Sequence, residues 1–255
     1  MARQGPASSP RRWLLPVLVI VVAGLLIAFV VVRAGSGGGE VDDGTQAGPD
    51  ATQTAGDEQD LPDEVIEVEE PDLTELERRD ADDLLTAGPL DAPVAIVVYS
   101  DYQCPFCASW NHETFPELAG YIEAGDLRVE WRDVNVFGEE SERASRAAYA
   151  AALQDSYWAY HDELFAGGDI RSPRALGEEQ LVEIAAELGL DTDQFAADMD
   201  AEETHEQVRA NAEEGIDIGA HSTPTFIVDG EAILGAQPTD VFIDAIETAL
   251  QDAGD

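Results

Sequence analysis

A single junction constrains the fold of this chain more than any other feature. Ala92–Tyr99, APVAIVVY, is a run rich in Val and Ile bounded by Gly88-Pro89 and Ser100-Asp101, which predicts a strand buried on both faces. It leads at once into the only two cysteines of the chain, Cys104-Pro105-Phe106-Cys107. Pro105 suits the first turn of a helix, where its missing N–H would have had no partner. A thiolate at a helix N-terminus is favoured by free backbone N–H groups and the positive end of the dipole. Cys104 is therefore expected as the exposed reactive sulfur, and Cys107, one turn on, as the more buried resolving thiol.

The competing readings of this motif are weaker. A structural disulfide across two intervening residues removes little entropy from the unfolded chain. Zinc needs four ligands, and beyond the cysteines the only nearby soft ligand is His112. Redox chemistry is the reading adopted, with no metal or organic cofactor. Two alternatives of another class are a metal-handling module using Cys104, Cys107 and His112 or His221, and a structural or adhesive surface domain.

Beyond the motif, Phe106, Trp110, Leu118 and Tyr121 fit a helix that Pro116 should kink or restart. Leu127–Phe137 alternates Leu127, Val129 and Trp131 with Arg128, Glu130 and Arg132, a second strand with Trp131 packing and Arg132 at the surface. From about 139 to 214 no strand pattern appears. Ala144, Ala147, Ala148, Ala151, Leu181, Ile184, Ala185 and Leu188 recur at helical spacing instead. Thr225–Val228 and Glu231–Leu234 flank Asp229-Gly230, a hairpin signal, and a last helix over Thr239–Leu250 points Val241, Phe242, Ile246 and Leu250 inward. His161, among Trp158, Tyr160 and Phe165, reads as a helix-packing residue, and His205 as part of an acidic helical run.

The N-terminal third is different in kind. Trp13–Val32 is twenty residues without a charge, the length of a bilayer-spanning helix. Arg3, Arg11 and Arg12 precede it, so residues 1–12 are expected in the cytoplasm, 13–33 as an uncleaved anchor and all that follows outside. A cleaved signal peptide is the rival reading, but its apolar region is usually about 7–15 residues. Residues 34–62 have almost no large apolar side chain and read as a flexible stalk. The acidic lead-in up to residue 85 has sparse hydrophobes, among them Leu73, Leu76, Leu84 and Leu85, and either docks on the domain or stays solvated.

Composition adds an exclusion. All 54 acids lie at or beyond Glu40, the chain has no Lys, and the net charge of −41 repels phosphate, so nucleic acid is excluded as a partner. The acid must sit mostly on the surface, fitting either a saline or alkaline setting or a codon bias that replaces Lys with Arg.

Ala92-Pro93-Val94, Tyr99-Ser100-Asp101-Tyr102-Gln103-Cys104-Pro105-Phe106-Cys107, Trp158-Ala159-Tyr160-His161-Asp162, and Ser222-Thr223-Pro224-Thr225-Phe226 with Gly235 resemble the DsbA-like thiol–disulfide oxidoreductases of the thioredoxin superfamily. The resemblance covers about residues 86–252 and implies an α/β thioredoxin core, with a helical domain (about 139–214) inserted between its two halves. It implies a cis-proline at Pro224 facing the cysteines, with the Thr223 backbone pairing to a bound substrate peptide. It further implies disulfide formation in reduced exported proteins, and a quinone-linked membrane partner, DsbB-like or related to vitamin K epoxide reductase, for reoxidation. A reductase or isomerase, for instance in cytochrome maturation, is the alternative direction. Two departures stand out: Val98, where relatives often carry a buried Glu, and Phe106 in place of the His of the best-known oxidases. His221, three residues before Pro224, is either a satisfied loop residue or a tuner of Cys104.

Overall fold

The computed structural model describes residues 73–254. The cytoplasmic tail expected at 1–12, the anchor at 13–33 and the stalk up to residue 72 lie outside the described residues. Among the described residues no helix is long and apolar enough to cross a membrane.

The chain forms a mixed five-stranded sheet of order β1-β3-β2-β4-β5, in which only β2 and β3 run parallel. β1 is Thr86–Ala87 and β2 is Val94–Ser100, buried at all seven positions as a strand covered on both faces must be. Helix α1, Pro105–Glu113, follows the cysteine junction, and Pro116 opens a 3₁₀ turn, Phe115–Leu118, before α2, Ala119–Ala124. β3 is Leu127–Asp133. Helices α3 (Glu139–Ala152), α4 (Tyr157–Leu164), α5 (Glu178–Glu187), α6 (Thr192–Met199) and α7 (Glu202–Asp217) then intervene before β4, Thr225–Val228. β5, Glu231–Leu234, completes the hairpin, with Asp229 and Gly230 both at positive φ, and α8, Thr239–Ala253, closes the chain. The insertion packs through small side chains: Ala144, Ala147, Ala148 and Ala151 are all buried on α3, letting α4, α6 and α7 approach closely.

Two particulars differ from the sequence reading. Val241 is exposed, so α8 packs through Phe242, Ile246 and Ala249. The polar residues of β3 are not at the surface either, for Arg128, Glu130 and Arg132 are buried with Arg132 fully so. They lie on the sheet face that carries Val97, Tyr99 and Val134, against which Leu73 and Leu76 pack. The lead-in from residue 73 therefore docks on the sheet instead of standing free. Glu130 is its clasp: its carboxylate accepts from Arg128 Nε at 2.8 Å, Arg132 Nη2 at 2.9 Å, and the backbone N–H groups of Arg78 and Arg79 at 3.0 and 2.9 Å. Arg132 also reaches Asp83 at 3.0 Å, and Arg78 reaches Glu214 of α7 at 2.7 Å.

Burial opposes the charge of Glu130, but the Arg128 hydrogen bond, the Arg132 charge and the two backbone donors outweigh it and hold its pKa below the ordinary value. Its stabilisation is thus fully present above the unfolded carboxylate pKa of about 4.3 and is lost as pH falls through the lower folded value. Glu130→Gln should destabilise the domain by about 3–5 kcal/mol at pH 7 in urea unfolding, since it leaves the buried Arg128 guanidinium without its carboxylate, and the gap to wild type should narrow below about pH 4.

Candidate active site

Cys104 is the N-cap of α1, in extended backbone (φ −90°, ψ 116°), with Pro105 in the first turn. The loop before it is fixed by Asp101. That buried carboxylate accepts from Gln103 N at 2.7 Å, Ser141 Oγ at 2.6 Å and Phe137 N at 3.1 Å, while its carbonyl accepts from Cys104 N at 3.0 Å. Tyr102 is held from the other side, its hydroxyl 2.9 Å from His161 Nδ1. His161 Nε2 lies 2.9 Å from Asn111 Oδ1, so the ring donates there and accepts from Tyr102. Burial pushes the His161 pKa down to about 3, which keeps the ring neutral, and it packs edge-on to Trp131 at 4.4 Å between centroids. It is a packing residue that also ties α1, α4 and the cysteine loop together.

From the far end of the domain, the antiparallel pairing of β4 with β2 brings in the loop at Thr223-Pro224, whose peptide bond is cis. Thr223 O lies 3.2 Å from Cys104 Sγ, across 119 residues of sequence. Cys104, Pro105, Phe106, Cys107, Thr223 and Pro224 are thus brought together. His221 is exposed, and its ring makes no hydrogen bond among the described residues. No group of three or more His, Cys, Asp or Glu side chains, His112 included, is arranged to hold a metal among the described residues.

Both cysteines are free thiols, and both are buried, Cys104 at 2% exposure and Cys107 at 1%. Cys104 is therefore not the exposed sulfur expected from its place in the motif: the Thr223-Pro224 loop packs against it, and Phe106, 66% exposed, is what the motif shows to solvent. Their acidities diverge sharply. The Cys107 thiol is the largest influence lowering the Cys104 pKa, to about 6, joined by the Thr223 side chain and the N–H groups of Cys107 and Phe106, against the opposing effect of burial. Burial and the Cys104 charge push Cys107 well above its ordinary value. The pair is arranged as one ready thiolate beside one reluctant thiol.

Three residues of this neighbourhood carried no role in the sequence reading. Asp101 fixes the loop, Ser100 faces Cys107, and Asp133 ends β3 as a buried acid. The signal for Asp133 was parity, because Leu127, Val129 and Trp131 mark the buried register and Asp133 is its next member.

The comparisons with known proteins agree with this geometry. A family model described as thioredoxin matches residues 81–248. Among relatives, the Na(+)/H(+) antiporter NhaA of Herminiimonas arsenicoxydans is 35% identical over 153 residues, 58% of this chain but only 23% of that protein. A probable disulfide bond formation protein D of Bacillus anthracis is 28% identical over 148 residues, 56% of this chain and 68% of that one. Among solved structures, oxidised BdbD of Bacillus subtilis superposes with a TM-score of 0.60 at 25% identity, covering 66% of this chain and 92% of that one. The chain belongs to the thioredoxin family. Within it, the fold and the homologues make it a DsbA-like thiol–disulfide oxidoreductase.

The split acidities have a direct readout. In the reduced protein, alkylation by iodoacetamide should modify Cys104 with a midpoint near pH 6, while Cys107 stays unmodified at neutral pH. Mass mapping of the labelled peptides across a pH series tests this, and equal labelling of both thiols would contradict the arrangement.

Proposed function

We propose that this protein is a membrane-tethered, outward-facing oxidase that donates the Cys104–Cys107 disulfide to reduced exported proteins. A substrate thiolate attacks Cys104 Sγ, the Cys104–Cys107 bond breaks and a mixed disulfide forms. The substrate's second thiolate then attacks its own sulfur in that bond, leaving both protein cysteines reduced. The observation that carries this reading is the lowered pKa of Cys104 beside the Thr223 carbonyl. A pKa of about 6 makes it the better leaving group of the pair. It also stabilises the reduced form at pH 7 by about 1.4 kcal/mol relative to an ordinary thiol, or about 30 mV toward oxidant for a two-electron couple.

Substrate contact falls to the apolar rim. Phe106, Phe137 and Val136 are 66%, 53% and 40% exposed. The Phe137 backbone is bonded to the same Asp101 that holds the cysteine loop, so this rim adjoins the site. In this reading the Thr223 backbone, already 3.2 Å from the sulfur, lies where a bound extended peptide would run beside Cys104. Reoxidation is assigned to a quinone-linked membrane partner, DsbB-like or related to vitamin K epoxide reductase. The apolar Trp13–Val32 run, with arginines on its N-terminal side, supports an anchor with the catalytic domain outside.

The same chemistry run backwards is a reductase or isomerase, favoured by Phe106, which offers the thiolate no hydrogen bond where a His would. Equilibration with glutathione decides the direction: a potential near −120 mV supports the oxidase, and one near −270 mV moves the assignment to the reductase. Cys104→Ser should abolish turnover of a reduced dithiol substrate in either case.

A further inference from the structure

Cys107 poses a chemical difficulty. When a substrate thiolate opens the disulfide, the electron pair departs on Cys107, which is 1% exposed and whose pKa is pushed well above its ordinary value. A thiol of high pKa leaves slowly unless a proton arrives as the bond breaks. Val98, six residues before Cys104 on the face of β2 that looks toward the cysteines, supplies none.

A carboxyl is present one step further along the same face. β2 and β3 pair in parallel with Val98 opposite Trp131 and Ser100 opposite Asp133. Val98 and Trp131 belong to the core cluster that holds Cys104 and Cys107, so Ser100 and Asp133 project to that same side. The Ser100 hydroxyl is buried with no hydrogen-bond partner and lies near enough to the Cys107 sulfur to favour its ionised form. Asp133 is 2% exposed and makes no ion pair among the described residues, in contrast to Glu130 on the opposite face with its two arginines. Its Oδ1 accepts from Trp131 Nε1 at 3.0 Å, Ser145 of α3 lies close by, and its charge is felt by Asp101 of the cysteine loop, Tyr102 and Tyr157. A carboxyl buried with no counter-ion is costly to keep and has no structural partner that needs its charge.

We propose that Asp133 is the general acid for the resolving cysteine, reaching Cys107 through the Ser100 hydroxyl. As the substrate sulfur bonds to Cys104, the Cys104–Cys107 bond breaks, Cys107 takes the electron pair, and the proton of the Asp133 carboxyl converts it to a thiol. Asp133 is left as a carboxylate and regains its proton from solvent; no oxidant or reductant beyond the substrate dithiol is involved. Burial, reinforced by the nearby Asp101 charge, raises the Asp133 pKa to about 8 against the Trp131 hydrogen bond and the neighbouring Ser145 hydroxyl, so the acid form is the resident one at neutral pH. The inference rests on exchange through Cys104 and Cys107.

Stopped-flow reduction of the oxidised protein by dithiothreitol tests it, with the rate constant divided by the thiolate fraction of the reagent. In wild type this constant should be flat at neutral pH and fall as pH rises through about 8, where Asp133 loses its proton. Asp133→Asn should lower it about tenfold or more at pH 7 and remove the bend, and Asp133→Glu should restore both in part. Circular dichroism checks that the variants fold, and if Asp133→Asn does not, Ser100→Ala is read in its place, with the same loss expected. A folded Asp133→Asn that keeps the wild-type rate and bend overturns the assignment while leaving exchange intact. A wild-type protein whose cysteines do not exchange overturns the oxidoreductase reading itself.

Discussion

Everything in this domain follows from a central strand that touches no water. β2 is buried along its full length, so both faces of the sheet must be covered, and the two coverings differ in kind. One face carries aliphatic and aromatic side chains: α1, α8 and the insertion converge there on Trp110, Trp131, Phe226 and Phe242, whose rings meet tilted or edge-on. The other carries an ionic clasp, in which Glu130 gathers arginines and backbone donors and draws the lead-in across the sheet. The cysteines stand at the end of this strand, and the geometry of their loop is only as firm as that double covering.

Charge is partitioned accordingly. Of the nine arginines beyond residue 39, Arg78, Arg79, Arg128 and Arg132 lie around the Glu130 clasp, and Arg143 and Arg146 cap the ends of other helical segments at the Leu176 and Met199 carbonyls. Scarce cations work as internal cross-links, and the acids coat the exterior. A surface of that sign is a statement about solubility and partners, whereas the few buried carboxyls are where charge bears on fold and chemistry.

Much of this was legible in the sequence. The β2 run, the cysteine pair at a helix start, the restart at Pro116 and the Asp229-Gly230 hairpin each follow from a local rule that tertiary packing did not override. The face of β3 that carries Arg128, Glu130 and Arg132 was not legible. Alternation there has polar residues facing a second buried layer built by a segment some fifty residues earlier, and nothing local distinguishes that layer from water. The burial of Cys104 is not legible for the same reason, since the loop that covers it comes from residue 223. The cis bond at Pro224 was read from family likeness, because no local pattern selects it.

The insertion between β3 and β4 has a consequence in time. β4 pairs with β2 in a register that joins Ile96 to Val228, and the carbonyl beside Cys104 comes from Thr223. A chain growing from its N-terminus holds both cysteines long before it holds either of these partners. Until synthesis has passed Val228, its two sulfurs lack the Thr223 contact and the β4 strand that complete the fold around them. The five intervening helices thus act as a delay, and the nascent polypeptide acquires the covering over its cysteines only after all five have been made.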